Sequence, residues 1–250
     1  MFKKFSILLL ICLLEYAVNS YAENVDEVIN KNLEARGGLE KINALTSMKL
    51  TGQMTMPQGD KAPIVVYQKR PHFVRLEFRY KGMTRIDAYD GQTPWMINPF
   101  KGTSVPQKMH ADDAKDIMEQ SDFGGPLVNY KEKGNQVELL GKEDLAGGPV
   151  YKLKVMLKNG DIRYFFLDAE NYLDFKITRI VNREGTEMKI DTLLSDYEEI
   201  NGLMVPLSVY VKTGDQILNQ ISWENVEFDV PMDDSMFKMP SEAPQSQPSN

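Results

Sequence analysis

The chain has 250 residues, a formal net charge of −7, one cysteine and two histidines. An acidic balance repels nucleic acid and anionic lipid headgroups, so neither is an expected partner. A lone cysteine excludes an internal disulfide framework and a cysteine-built metal centre.

Lys3 and Lys4 precede an apolar run, Phe5 to Leu14, that is too short to span a bilayer. Ser20-Tyr21-Ala22 then places small residues where a signal peptidase reads. Residues 1–22 are expected to be a secretory signal peptide, interrupted at Glu15. Cys12 lies inside it and follows Ile11 rather than a small residue, so it is not a lipid-attachment cysteine. Losing Lys3, Lys4 and Glu15 leaves the remainder one unit more negative. Residues 23–240 are expected to form a single domain in the periplasm, held by its core alone.

That domain opens with a helix. Asn24 and Glu27 have capping-box spacing, Val25, Val28, Ile29 and Leu33 recur at helical intervals, and Gly37-Gly38 ends the pattern. A short turn carrying Leu39, Ile42 and Leu45 follows. From Met48 the period becomes two: Met48, Leu50, Gly52, Met54 and Met56 alternate with polar residues, as in a half-buried antiparallel strand. Pro57 to Asp60 is a turn. Further strands are predicted at 62–69, 72–80 and 83–89, then around Trp95 after an Asp90-Gly91 hairpin signal. Between 108 and 121 the period returns to helical. Ala111, Ala114, Ile117 and Met118 share an apolar face, with Asp112, Asp113, Lys115, Asp116 and Glu119 on the wet one. Strands resume near 135–142, 149–158, 161–168, 172–182, 186–197, 203–212 and 215–230. About eleven strands joined by tight turns make an antiparallel meander, a mainly β (α+β) fold. Residues 241–250 are rich in Pro, Ser and Gln and are expected to be disordered.

Catalytic signals are missing. His72 and His110 are not spaced as metal ligands, and no nucleophile elbow, phosphate-binding glycine loop or zinc-protease motif occurs. Asp112, Asp113 and Asp116 lack the glycine and ligand ladder of a calcium loop, and read as a solvated helix face. Asp168 and Glu170 fall in a turn whose composition explains them. No enzyme activity, cofactor or metal is expected. A wide sheet with one apolar face must still cover it, and helical material is scarce. Methionines cluster in the N-terminal half, where an unbranched, polarizable side chain suits an irregular apolar guest as well as it fills gaps in an ordinary core.

The order of several stretches carries a family likeness. They are Glu34-Ala35-Arg36-Gly37-Gly38-Leu39-Glu40-Lys41-Ile42, Lys69-Arg70-Pro71, Tyr89-Asp90-Gly91-Gln92-Thr93-Pro94-Trp95, Asp122-Phe123-Gly124-Gly125-Pro126 and Asn201-Gly202-Leu203-Met204-Val205-Pro206, with Phe237-Lys238-Met239-Pro240 near the end. The sequence resembles the outer-membrane lipoprotein-sorting protein family, related to the periplasmic lipoprotein carrier LolA and its receptor LolB. The resemblance covers nearly all of the chain after residue 22. It implies a half-open antiparallel β-barrel under a helical lid, enclosing a hydrophobic cavity for acyl chains, with residues 108–121 as lid material. No functional arginine of the carrier is carried over to Arg70, Arg75, Arg79 or Arg85.

The expected function is therefore binding and carriage of lipid or lipoprotein acyl chains, with membrane-bound donor or receptor proteins as further partners. The alternative is a periplasmic sensor or interaction module whose apolar face meets a protein. Candidate lining residues are Leu50, Met54, Met56, Val74, Leu76, Phe78, Trp95, Ile97, Ile117 and Met118. Each serves equally well as plain core, because any sheet interior needs alternating apolar residues. The sequence does not fix the oligomeric state; a monomer is expected.

Overall fold

The computed structural model describes residues 24–145, 147–183 and 186–241. The expected signal peptide and nearly all of the expected disordered tail lie outside them. Among the described residues no helix is long and apolar enough to cross a membrane.

Helix α1 spans Val25–Ala35. Its cap is simpler than the sequence suggests: the Asn24 side chain accepts from the Asp26 amide at 3.2 Å. The helix ends where Gly37 and Gly38 take positive φ of 115° and 97° and donate to the carbonyls of Glu34 and Leu33. Gly37 has a second reason to be glycine. A Cβ there would meet the Gly202 carbonyl at 2.3 Å, so this close approach of two backbones admits no side chain. Helix α2, Leu39–Ala44, leads into the sheet.

The strands are β1 Ser47–Thr55, β2 Lys61–Lys69, β3 Phe73–Tyr80, β4 Met83–Asp90, β5 Pro94–Asn98 and β6 Thr103–Lys108 before the inserted helix α3, Ala111–Gln120. After it come β7 Gln136–Leu145, β8 Gly148–Met156, β9 Ile162–Asp168, β10 Asp174–Arg183, β11 Thr186–Ile200, β12 Leu203–Thr213 and β13 Gln216–Phe228. They form one antiparallel sheet in the order β6-β5-β4-β3-β2-β1-β13-β12-β11-β10-β9-β8-β7. Among the described residues the strands number thirteen rather than about eleven. The strand with no counterpart in the sequence reading is β6, which carries Pro106; a missing backbone donor is tolerated only at a sheet edge, and β6 is one.

The sheet is not closed, but it is strongly curled, and α3 shows why. Ile117 packs in one cluster with Val74 of β3. The neighbouring Asp116 pairs with Arg179 of β10. In a flat sheet β3 and β10, six strand spacings apart, would be separated by about 29 Å. Two consecutive residues of one helix can touch both only if the sheet rolls into a trough. The segment holding α3 connects the two edge strands, β6 and β7, and so runs across the trough's opening.

Three packed clusters hold this shape. At one end of the trough α1 lays Val28, Ile29 and Leu33 against Leu153, Val155, Phe165 and Leu167 of β8 and β9, with Leu127 and Val128 beside them. In the middle, Ile117 meets Leu50, Val66, Val74 and Val226. The third cluster, Ala88, Trp95 and Ile97, lies on the outer face. It is covered by the turn Asp234–Phe237: Trp95 Nε1 donates to the Phe237 carbonyl at 2.7 Å, and the Phe73 and Phe237 rings lie 5.3 Å apart. Trp95 and Phe237 are both fully buried, and side chains of this size contribute about 2–3 kcal/mol each by burial.

Candidate functional site

The inner face of the trough is where side chains of Leu50, Val74 and Leu76 point, and strand register extends that face across the sheet. One row on it is of special interest. Met54 of β1 stands opposite Ile221 of β13, Ile221 opposite Val209 of β12, and Val209 opposite Leu194 of β11. Directly paired residues present their side chains to the same face. These four are half-buried and belong to none of the three clusters. Phe78 and Val211 share the face and the same intermediate exposure. The trough thus has an apolar floor that its own helices only partly cover.

The strap over it is held by charge as much as by grease. Arg163 of β9, with a side chain only 5% exposed, reaches Glu119 through both Nε and Nη2, the Nε contact being 3.0 Å. Burial works against the Arg163 charge, but the carboxylates of Glu119, Asp161 and Asp116 together more than offset it, and the guanidinium is held above its ordinary value. Arg179 of β10 pairs with Asp116. On the opposite flank α3 contributes Ile117 and Ala114, 3% and 7% exposed. One wall therefore grips the helix through two ion pairs and the other through a small apolar contact.

The candidate lining residues divide. Leu50, Val74 and Ile117 are buried in the central cluster, with Leu76 packed against it. Met54 and Phe78 lie on the uncovered floor. Met56 belongs to the β1–β2 turn, where it accepts the Gly59 amide at 2.8 Å. Trp95 and Ile97 are on the outer face under the Asp234–Phe237 turn, and Met118 points away from the trough, 44% exposed. Consecutive helix positions are about 100° apart, so Ile117 and Met118 cannot both face inward. Two surface hollows of about 220 and 360 Å3 are present. The first is lined by Lys41, Leu45, Leu203 and Phe228 among others, the second by Ile29, Leu33, Leu127 and Tyr130 among others. Neither lies beneath α3, where the packed Ile117 sits.

Sequence reasoning placed Asp116 and Glu119 on the solvated face and missed the latch. Their i, i+3 spacing was the available signal, since it puts both carboxylates on one flank. Arg70 also has a role no motif announced. Its Nε donates to the Leu45 carbonyl at 2.7 Å and its Nη2 to the Ile42 carbonyl at 2.9 Å, so it ties α2 to the start of the sheet. Among the described residues no group of three His, Asp or Glu side chains is placed to hold a metal ion.

The same architecture occurs in solved structures. A LolA superfamily protein from Nitrosomonas europaea matches with a TM-score of 0.59 and 13% identity, over 87% of this chain and 98% of that one. A domain from Vibrio parahaemolyticus described as outer membrane lipoprotein-sorting matches at 0.57 and 11%, over 84% and 97%. The chain has the LolA-type fold. A DUF1329 family protein from Desulfovibrio piger matches this chain to a similar degree, at 0.58 and 15%, over 86% and 97%. No protein-family model matches the sequence, and no curated protein matches it. At these identities the likeness is one of fold, and function rests on the site.

Proposed function

We propose that this protein carries lipid or lipoprotein acyl chains through the periplasm and performs no catalysis of its own. The observation that carries this reading is the row Met54–Ile221–Val209–Leu194, an apolar floor four strands wide left half-covered on the inner face of a trough that a charge-latched strap crosses. Each buried methylene contributes about 0.8 kcal/mol, so a chain of about sixteen carbons costs on the order of 12 kcal/mol to leave in water. A carrier must offset that cost and then release its cargo. An open trough with a strap held by two ion pairs suits both tasks better than a sealed core, because lifting the strap breaks those pairs and uncovers little apolar area of its own beyond Ile117 and Ala114. The leader-like residues 1–22 support the periplasmic placement.

Native mass spectrometry of the protein taken from its own cell envelope tests the reading. Bound lipid or acylated protein is expected, displaced by added long-chain lipid. Protein that emerges without lipid and takes up none, but crosslinks to one membrane protein, would support the interaction-module alternative instead.

A further inference from the structure

The inner face also carries buried acceptors without donors, and two of them sit together beside an ion pair. Arg85 and Asp87 of β4 and Asn98 of β5 share this face: Arg85 stands opposite Phe78, and Asp87 opposite Leu76 and Met96. The register Ile86–Ile97 places Asn98 beside Arg85. Asp87 and Asn98 are 8% and 4% exposed. Asp87 Oδ1 and Asn98 Oδ1 accept no hydrogen bond from the protein. Arg85 Nε lies 2.9 Å from Asp87 Oδ2, an ion pair that leaves the other carboxylate oxygen without a donor. A buried acceptor without a donor costs about 1–3 kcal/mol.

We propose that Asp87, Asn98 and Arg85 form a headgroup site at the lip of the trough, for a phospholipid whose headgroup carries a primary ammonium. The inference rests on the carrier reading and specifies its ligand. Both unpartnered atoms, Asp87 Oδ1 and Asn98 Oδ1, are acceptors, so the ligand must bring N–H donors; a primary ammonium has three. Burial pushes the Asp87 carboxyl above its ordinary range despite the neighbouring Arg85, and a charged donor at the free Oδ1 would relieve that cost. Asp113, in the first turn of α3, adds negative potential at the same point, and Lys101 adds positive potential. The ammonium is thus drawn inward, and the ester phosphate is left to the Arg85 guanidinium and Lys101 at the rim. The acyl chains have a path as well. Phe78, opposite Arg85, lies 5.9 Å from the ring of Phe100 and borders the apolar floor.

The test compares two probes with identical short acyl chains, dihexanoyl phosphatidylethanolamine and dihexanoyl phosphatidylcholine, by titration calorimetry on the protein. The choline headgroup has the same charge but no N–H. At least tenfold tighter binding of the ethanolamine lipid is expected. Asn98→Leu should abolish that preference, bringing the affinity for the ethanolamine lipid down to that for the choline lipid. Asp87→Asn, which keeps shape and removes charge, should reduce it several-fold and serves if Asn98→Leu does not fold. Equal affinity for both lipids would overturn the headgroup site and leave the carrier reading standing. So would a preference that survives both substitutions, because the selectivity would then lie elsewhere. Binding of neither lipid would overturn the carrier reading itself.

Discussion

The latch on α3 makes a quantitative prediction. Glu119→Gln keeps the side chain's shape and removes its charge. Arg163 then keeps the Asp161 carboxylate, 3.9 Å away, the Ile162 carbonyl and the more distant Asp116. Breaking a fully buried ion pair costs 3–5 kcal/mol, and a solvent-exposed one less than 1. Here Arg163 is 5% and Glu119 29% exposed, which places the cost between those limits, at about 2 kcal/mol. That cost falls on the strapped state. The population with α3 lifted should rise about 30-fold. Hydrogen exchange reads this directly: amides of residues 114–121 should lose about 30-fold in protection while those of β8 and β9 keep theirs. An equal loss in β8 and β9 would mean that α3 is an integral part of the global fold rather than a strap. Unchanged α3 amides would mean that the pairs hold nothing.

Three further outcomes follow from named contacts. Phe237→Ala should lower stability by about 3–5 kcal/mol by hollowing the outer cluster, yet leave lipid uptake unchanged below the new melting midpoint; reduced uptake would place Trp95 and Ile97 in the ligand path after all. Val209→Thr should cost about 1 kcal/mol in stability but reduce acyl-chain affinity about tenfold, since it sets a hydroxyl in the floor; calorimetry with a fatty-acid probe separates the two. Asp174, 8% exposed beside Asn32, has its carboxyl raised above the ordinary range by burial, against the pull of Arg36. The folded state therefore holds its proton more tightly than the unfolded chain, and stability falls as pH rises from the ordinary carboxylate range to the elevated folded value. Asp174→Asn should accordingly raise the melting midpoint at pH 7, with the gain vanishing at acid pH; a gain independent of pH would refute the assignment.

The sequence revealed most where a single period dominates a segment. The alternation from Met48 to Met54 fixed the inner face of β1 correctly, because polar residues occupy every other position. Strand β5 offers no such contrast. Pro94, Trp95, Met96 and Ile97 are all apolar, so period alone cannot say which side is inside, and Trp95 is claimed by a segment 142 residues away. The latch was hidden for a similar reason: Glu119 and Asp116 find their arginines 44 and 63 residues later. Acidic residues on a short amphipathic helix read as solvated until the trough's far wall is known to stand beside them. Strand β6 was obscured by Pro106, whose tolerance depends on an edge position that only the topology reveals.

The most direct measurement is photocrosslinking with an acyl chain that carries a diazirine near its end, followed by peptide mapping. The inner-face residues Met54, Val209 and Ile221 are expected to take the label, and Glu119→Gln is expected to increase its rate of incorporation. Label confined to the outer face around Phe73 and Phe237, or no label on β1, β12 and β13, would contradict the claim that the trough is the acyl-chain site.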